Sequence, residues 1–421
     1  MRERFKMKLM MAFGGILLSC FAFATGNKPG FVYRQNEKLF LNGQEYRAIG
    51  VNMPNLSQSY MGTWHHDLEI YGSREAARKA MIHGVKEAAK AGFKFIRFFA
   101  NPGYAYDMTL LYMKDREGYW KNMDEVLDLC RKNGLRVIPC LNVSGKAGNF
   151  NEYYDEPRQA VLDPDSKTYK AVYEYIKQFV SRYKDDPVVL MWELENEGML
   201  KVDIDRKNQK RNPAVTINRD QKPRPPYTRE DSITFDMLVK LYEDHTKFIK
   251  SIDKNHLVTS GDAGVRRECG SRRRTFPDCK YRNDTFREHI AHNLLSQPEI
   301  LDVFSYHSYG SLQQDQTETK QQFSPTERKR RVYRASMAAG APVFIGELSV
   351  RGKYIEKDPE QRWTMQFIDM AETEGVSLIA LWVWHFDWQP QLNMSSSKYP
   401  ALVKHCAGFN RKYAAHDKFP E

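Results

Sequence analysis

Short runs of consecutive apolar residues recur along the chain, without the apolar–polar alternation of a strand that has one wet face. Such runs are typical of parallel β-strands that helices cover on both sides. They predict strands at residues 48–52, 95–99, 136–141, 188–194, 257–260, 303–306, 343–345 and 378–382. Parallel strands need long crossover connections, and each gap between these runs is long enough for a helix.

Apolar positions with a helical period occupy the connections. They predict helices at residues 76–91, 122–132, 169–183, 235–252, 284–296, 325–339, 360–374 and 401–413. Eight strands alternating with eight helices are the element count of a (β/α)8 TIM barrel, an α/β fold. A doubly wound sheet is the competing architecture, but no glycine-rich phosphate loop follows the first strand. Residues 31–46, with turns at Asn36-Glu37 and Asn42-Gly43, predict a β-hairpin that caps the lower end of the barrel.

The first 24 residues follow a different pattern. Four basic residues lie within the first ten, residues 9–18 are apolar, and Ala22-Phe23-Ala24 follows. This order predicts a signal peptide at residues 1–24 and a secreted or periplasmic protein. Leu17-Leu18-Ser19-Cys20 also resembles a lipobox, so a lipoprotein anchored through Cys20 is the alternative. Without that anchor we expect no membrane association, because the apolar run is too short to span a bilayer.

The chain of 421 residues is 41% hydrophobic, which excludes a disordered protein. Its formal net charge of +11 makes nucleic acid one candidate partner. We expect none, because the chain is predicted to be exported and has no recognition motif. Thirteen basic residues follow the fourth and fifth strands: Lys201, Arg206, Lys207, Lys210, Arg211, Arg219, Lys222, Arg224, Arg266, Arg267, Arg272, Arg273 and Arg274. They form either a solvated loop or a rim that attracts an anionic glycan.

Export would bring the cysteines into an oxidising compartment. Cys269 and Cys279 bracket a short loop that contains Gly270 and Pro277, and this spacing predicts a local disulfide. The sequence has no CxxC motif and no His/Cys cluster with zinc spacing. We therefore expect no metal.

Two carboxylates provide the candidate chemistry. Glu197 closely follows the strand at 188–194, and Glu347 follows the strand at 343–345. The C-terminal ends of barrel strands are where barrel enzymes place their catalytic groups. Glycosidic cleavage uses such a pair: one acid protonates the leaving oxygen, and the other attacks the anomeric carbon or activates water.

Other motifs lie at the ends of neighbouring predicted strands. Together with the two acids they are Phe95-Ile96-Arg97-Phe98-Phe99, Asn196-Glu197, His307-Ser308-Tyr309, Gly346-Glu347-Leu348 and Trp382-Val383-Trp384. In this order and on these strands they resemble glycoside hydrolase family 5, in the clan of retaining (β/α)8 glycosidases. The resemblance covers a single catalytic domain at about residues 31–415.

The resemblance implies roles for the matched residues. Glu197 would be the general acid/base and Glu347 the nucleophile. Asn196 would contact the substrate 2-hydroxyl, and Arg97 would keep Glu347 ionised. The remaining implied contacts are Tyr309 donating to Glu347, His307 donating to a sugar or to Glu197, and Trp384 lying under the sugar ring. No cofactor is needed, because carboxylates alone perform this reaction.

Two further stretches are similar to the β-mannanase branch of the family. They are Ile138-Pro139-Cys140-Leu141-Asn142, which makes Asn142 a subsite candidate, and Trp192-Glu193-Leu194-x-Asn196-Glu197. We expect a monomeric retaining glycosidase that is endo-acting on a β-1,4-linked polysaccharide. Mannan is the first expected substrate. The alternatives are a cellulase-type β-glucanase, a glycosidase of an anionic glycan, or a non-catalytic glycan-binding barrel.

Overall fold

The computed structural model of the protein describes residues 28–101, 106–144, 150–210, 226–315 and 323–420. The predicted signal peptide at 1–24 and the alternative anchor Cys20 lie outside these ranges, and both remain predictions. Within these ranges, no helix combines the length and the apolar character that crossing a bilayer requires.

A parallel barrel forms the body of the described chain. Its eight strands are β4 (Ala48–Asn52), β5 (Phe95–Phe99), β6 (Arg136–Cys140), β7 (Met191–Glu193), β8 (Leu257–Thr259), β9 (Phe304–Gly310), β10 (Val343–Val350) and β11 (Leu378–Leu381). They follow the order β8-β7-β6-β5-β4-β11-β10-β9. A parallel bridge between Thr259 and Val303 closes the circle between β8 and β9. The predicted (β/α)8 architecture is confirmed.

Eight long helices in the described ranges surround the barrel. They are α1 (Arg74–Lys90), α2 (Arg116–Lys132), α3 (Lys167–Tyr183), α4 (Phe235–Ile252), α5 (Phe286–Leu295), α6 (Pro325–Ala338), α7 (Arg362–Glu374) and α8 (Pro400–Tyr413). Side-chain caps set several starts: Ser73 accepts from the Ala76 amide, and Thr234 accepts from the Met237 amide. Such caps satisfy amides that have no partner within the helix, which fixes where the helix begins.

Three short antiparallel strands precede the barrel: β1 (Val32–Gln35), β2 (Lys38–Leu41) and β3 (Gln44–Glu45). Val32, Leu39 and Leu41 are buried in one cluster with the first residues of the barrel strands, such as Phe95 and Phe344. The hairpin therefore covers the N-terminal end of the barrel, as predicted. The opposite end remains available for the site.

Shorter helices lie in the connections. The α-helical ones are Leu56–Tyr60, Asp67–Tyr71, Tyr106–Lys114, Phe150–Tyr153, Cys269–Thr275 and Leu312–Asp315. The 3-10 turns are Arg158–Leu162, Gly198–Lys201, Arg229–Asp231 and Gly352–Lys357. Residues 211–225 of the long connection after β7 lie outside the described ranges.

The predicted Cys269–Cys279 disulfide is wrong for this structure, in which both thiols are free. Cys269 opens the short helix Cys269–Thr275 and is buried in the main apolar cluster. The Cys279 thiol instead donates to the Asp203 carbonyl, with Sγ 3.2 Å from that oxygen. The two sulfurs thus have different surroundings, because the segment expected to be a loop is partly helical.

Candidate active site

The Arg97 guanidinium on β5 lies at the centre of the polar groups in the barrel. It is fully buried. Its Nε lies 2.8 Å from Oε2 of Glu193, its Nη1 lies 3.1 Å from Oε1 of Glu347, and its Nη2 lies 2.7 Å from Oδ1 of Asn196. Asn52, at the end of β4, also accepts from Nη1 at 2.8 Å. Burial lowers the pKa of Arg97, but the charges of Glu193 and Glu347 outweigh it and raise that pKa.

Glu347 lies in β10 next to an irregularity in the pairing with β9, between Ile345 and Glu347. Gly346 makes this backbone path possible, because a Cβ there would lie 2.8 Å from Nε2 of His307. The Tyr309 hydroxyl donates to Oε2 of Glu347 at 2.5 Å. Burial and the Glu347 charge raise the pKa of Tyr309 well above its ordinary value, so the phenol stays protonated and can donate.

Glu197 lies in the turn between β7 and the 3-10 turn Gly198–Lys201. Its φ of 59° is in the left-handed region, which costs a side-chain-bearing residue about 1–3 kcal/mol. Its amide donates to the Gly261 carbonyl at 3.1 Å. Gly261 has a φ of 77°, and a Cβ there would lie only 1.7 Å from the Glu195 carbonyl oxygen. The loop after β8 therefore holds the Glu197 backbone through Gly261, a position where the close approach of the two chains leaves no room for a side chain.

His307 on β9 lies between the two carboxylates. Its Nδ1 is 3.0 Å from Oε1 of Glu197 and 3.3 Å from Oε2 of Glu347. One oxygen of each acid and a ring nitrogen of His307 all lie within 4.8 Å of one another. Burial would lower the pKa of His307, but the two carboxylates raise it to about 8. Two ionised carboxylates therefore favour a protonated imidazole between them.

The same three side chains have the ligand types that a divalent ion would need. The buried positive charge of Arg97 lies 3.1 Å from Glu347 and already compensates this acid. A second cation would meet electrostatic repulsion there.

The prediction that Trp384 lies under the sugar ring is wrong for this structure. Trp384 is fully buried, and its indole nitrogen donates to the Gly84 carbonyl at 3.0 Å. Trp382 retains 9% of its surface, and its indole nitrogen donates to Gln389 at 2.9 Å. The reason is that β11 ends at Leu381, so the chain turns before Trp384 and directs this residue toward α1. Trp382 is the tryptophan of this motif that can reach a ligand.

Asn142 is also not exposed to a ligand in this structure. It is fully buried, and its Oδ1 accepts from the backbone amide of Asn196 at 3.2 Å. Asn142 therefore positions Asn196, one residue before Glu197, instead of forming a sugar subsite. Glu193 lies deeper in the barrel than Glu197, and it is the buried ion partner of Arg97.

The sequence reasoning missed two residues. Asn52 at the end of β4 accepts from Arg97 and donates to the Gly346 carbonyl at 2.9 Å, which connects two catalytic strands. Its place at a strand end was the signal that could have identified it. Trp382 is the second, and only the end of β11 distinguishes it from Trp384.

A row of aromatic rings extends from Trp382 to the surface. Trp382 and Phe386 have ring centroids 6.3 Å apart, as do Phe386 and Trp64. Trp64 is 5.5 Å from His66, and His66 stacks on Trp388 at 3.5 Å. Trp388 is 43% exposed and so presents a large apolar ring to solvent. We call Trp382, Phe386, Trp64, His66 and Trp388 the aromatic row.

Two of the five basic residues after β8 form ion pairs with acids in the described ranges. Arg272 lies 2.6 Å from Glu268, and Arg273 lies 2.5 Å from Asp236. Arg211, Arg219, Lys222 and Arg224 of the other basic connection lie outside the described ranges. Arg272 and Arg273 therefore have structural partners within the protein.

Comparison with known proteins gives the family. The sequence model of Cellulase (glycosyl hydrolase family 5) matches residues 43–387. The chain belongs to glycosyl hydrolase family 5. Among curated relatives in sequence, mannan endo-1,4-beta-mannosidase 8 of Oryza sativa subsp. japonica is 25% identical over 310 residues, which are 68% of this chain and 74% of the relative.

Other relatives carry similar names. A probable mannan endo-1,4-beta-mannosidase F of Neosartorya fischeri is 24% identical over 218 residues, which are 49% of this chain and 41% of the relative. The chain therefore spans less than half the length of this fungal relative. Among solved structures, the endo-1,4-beta-mannanase of Rhizomucor miehei has a TM-score of 0.58 at 15% identity, covering 90% of this chain and 99% of that one. At this identity the likeness shows that the family 5 chain has the same barrel.

Replacing Arg97 with Lys is expected to destabilise the protein by about 3 kcal/mol, since breaking a buried ion pair leaves carboxylates without their partner. Lysine cannot donate to Glu193, Asn196 and Glu347 at once. The free energy of unfolding in denaturant measures the loss. The control is Arg182→Lys in the half-exposed Arg182–Asp124 pair, which should cost less than about 1 kcal/mol. Equal losses would contradict a central role for Arg97.

The pKa of His307 predicts a pH-dependent stability. Since its folded-state pKa of about 8 exceeds the ordinary 6.5, the stabilisation is complete below pH 6.5 and disappears as the pH rises through 8. The loss should be on the order of 1–2 kcal/mol. Unfolding at pH 6 and pH 9 should show it in the wild type and in the surface control His405→Gln, but not in His307→Gln. An unchanged pH dependence in His307→Gln would refute the prediction.

Proposed function

We propose that this protein is a retaining β-1,4-glycosidase of the endo-mannanase type, with Glu347 as the nucleophile and Glu197 as the general acid/base. The observation that carries the proposal is the spacing of the two acids, which have carboxylate oxygens within 4.8 Å of each other. Retaining pairs lie about 5–5.5 Å apart, whereas inverting pairs lie about 6.5–9.5 Å apart to leave room for a water. The short spacing supports direct attack on the sugar.

The first step forms a covalent intermediate. A Glu347 oxygen donates an electron pair to the anomeric carbon while the bond to the leaving glycosidic oxygen breaks, and Glu197 gives its proton to that oxygen. Arg97 donates to one oxygen of Glu347, and Tyr309 donates to the other. Both contacts hold the carboxylate in position before substrate arrives.

The second step returns the enzyme to its starting state. Water enters, Glu197 removes its proton, and the hydroxide attacks the anomeric carbon so that the bond to Glu347 breaks. Glu197 suits this double role because its side chain is 29% exposed, whereas that of Glu347 is 4% exposed. His307 orients Glu197 through the 3.0 Å contact.

Mannan is the proposed first substrate. The relatives named above are mannan mannosidases, and the aromatic row supports a polymer over a single sugar because it extends from Trp382, just after β11, to the exposed ring of Trp388. A β-glucan remains the alternative within the family. A non-catalytic glycan-binding barrel is disfavoured because both acids are present together with the groups that hold them.

Export is part of the proposal. The basic start, apolar run and Ala22-Phe23-Ala24 of the sequence support cleavage after residue 24 and release of a monomeric enzyme. Anchoring through Cys20 would instead leave the same barrel attached to a membrane.

The mechanism predicts two different defects. Glu347→Ala should lose activity and recover turnover with azide, which takes the place of the missing carboxylate. Glu197→Ala should keep activity on substrates with a good leaving group, because protonation then matters less. NMR of the first wild-type product should show the retained anomer. Release of the inverted anomer would overturn the retaining assignment, and the absence of hydrolysis across mannan, glucomannan and β-glucan would overturn the proposed function.

The aromatic row predicts a defect that depends on substrate length. Trp388→Ala should raise KM for polymeric mannan about two- to tenfold, as expected for the loss of one aromatic contact. It should leave kcat/KM for a short aryl glycoside unchanged. Tyr281→Ala is the matched control, because Tyr281 is 64% exposed and lies outside the row. Equal effects of both variants on the polymer would exclude the row as a glycan surface.

A further inference from the structure

A second cluster of histidine and glutamate side chains lies away from the catalytic acids. His83 and Glu87 are four residues apart on α1 and therefore share one face of this helix. His385 follows β11 and contacts Glu87 through its Nε2, while Nε2 of His83 lies 3.7 Å from the same Glu87 oxygen. One donor atom from each of the three side chains lies within 4.8 Å of the other two.

The surrounding structure brings His385 to the helix. The Trp384 indole donates to the Gly84 carbonyl, which holds the chain against α1 one residue before His385. Gly84 permits this approach, because a Cβ there would lie 2.8 Å from Met53 and 3.0 Å from Cβ of His385. His385 itself has a φ of 47°, in the left-handed region. The position of His385 therefore follows from backbone contacts and does not depend on Glu87 alone.

The donor set matches a particular class of ion. Two imidazole nitrogens and one carboxylate oxygen are ligands that Zn²⁺ accepts, with a fourth position left for water. Bond lengths of about 2.0–2.2 Å separate neighbouring ligand atoms by roughly 3.3–3.5 Å in a tetrahedral site. The 3.7 Å between His83 and Glu87 is close to that spacing. Glu87 and His385 would exchange their hydrogen bond for two metal bonds.

A backbone hydrogen bond on its other oxygen also orients the Glu87 carboxylate. Its second oxygen, Oε1, accepts from the Ser396 amide at 2.8 Å. Ligating carboxylates are commonly held in this way by a further hydrogen bond. The side chain of His83 is 72% exposed, so an ion can reach the site from solvent.

We propose that His83, Glu87 and His385 form a binding site for a divalent transition metal of the zinc class. The ion would connect α1 to the segment that runs from Trp382 to Ser396, and so stabilise the start of the aromatic row. This role is independent of glycoside hydrolysis, which the metal does not enter.

The test uses untagged full-length protein that has been treated with a chelator and dialysed. Titration with Co²⁺ should give the absorption of a tetrahedral nitrogen–oxygen site at one ion per chain. Zn²⁺ in excess should raise Tm by a few degrees, because a ligand that binds only the folded state stabilises it. His83→Ala and His385→Ala should each weaken Zn²⁺ binding at least tenfold. His83 is exposed, so its variant should fold normally.

Two comparisons make the result decisive. His405→Ala should bind Zn²⁺ as the wild type does, since His405 contacts Asp369 on another surface at 2.9 Å. Glu347→Gln should also retain binding, because the cluster of Glu197, His307 and Glu347 is the competing set of ligands. The proposal is overturned by the absence of a Co²⁺ signal in the wild type. It is equally overturned by binding that survives His83→Ala and disappears in Glu347→Gln.

Discussion

The charge of Arg97 is the constraint on which the rest of the site depends. A fully buried guanidinium costs several kcal/mol to remove from water, and only nearby anions and oriented oxygens compensate for this. Glu193 and Glu347 supply the charge, while Asn52 and Asn196 accept the remaining donors. These partners come from β4, from β10, and from β7 with the turn that follows it. Glu347, the proposed nucleophile, is thus one component of the charge balance that holds the strands in position.

The two acids differ because their environments differ. Glu347 lies against Arg97 and Tyr309 and is almost completely buried, which fixes its carboxylate in one position. Glu197 is more exposed, and its carboxylate contacts His307. Pairs of titratable groups with contrasting surroundings are the usual origin of separate acid and nucleophile roles. Here Arg97 provides most of that contrast, because it contacts Glu347, whereas His307 contacts both acids.

The sequence was sufficient for the barrel and for the family because both depend on simple rules. Buried parallel strands must be continuously apolar, and groups at their C-terminal ends must meet, so Glu197 and Glu347 could be placed together. The assignment of Trp384 failed because nothing in Trp382-Val383-Trp384 shows where β11 ends. Asn142 and the Cys269–Cys279 pair failed for a related reason. Their surroundings depend on turns and a short helix that have no strong local signal.

The closure of the barrel has a mechanical consequence. Between β8 and β9 the barrel closes through the parallel bridge from Thr259 to Val303 and through the amides of Asp302 and Val303, which both donate to the Val258 carbonyl, so the closing seam lies there. Glu197 lies on the β7–β8 side of this seam, and Glu347 lies on the β9–β10 side. His307 on β9 contacts Glu347 on its own side of the seam and reaches across it to Glu197, so a single side chain connects the two sides of the closing seam.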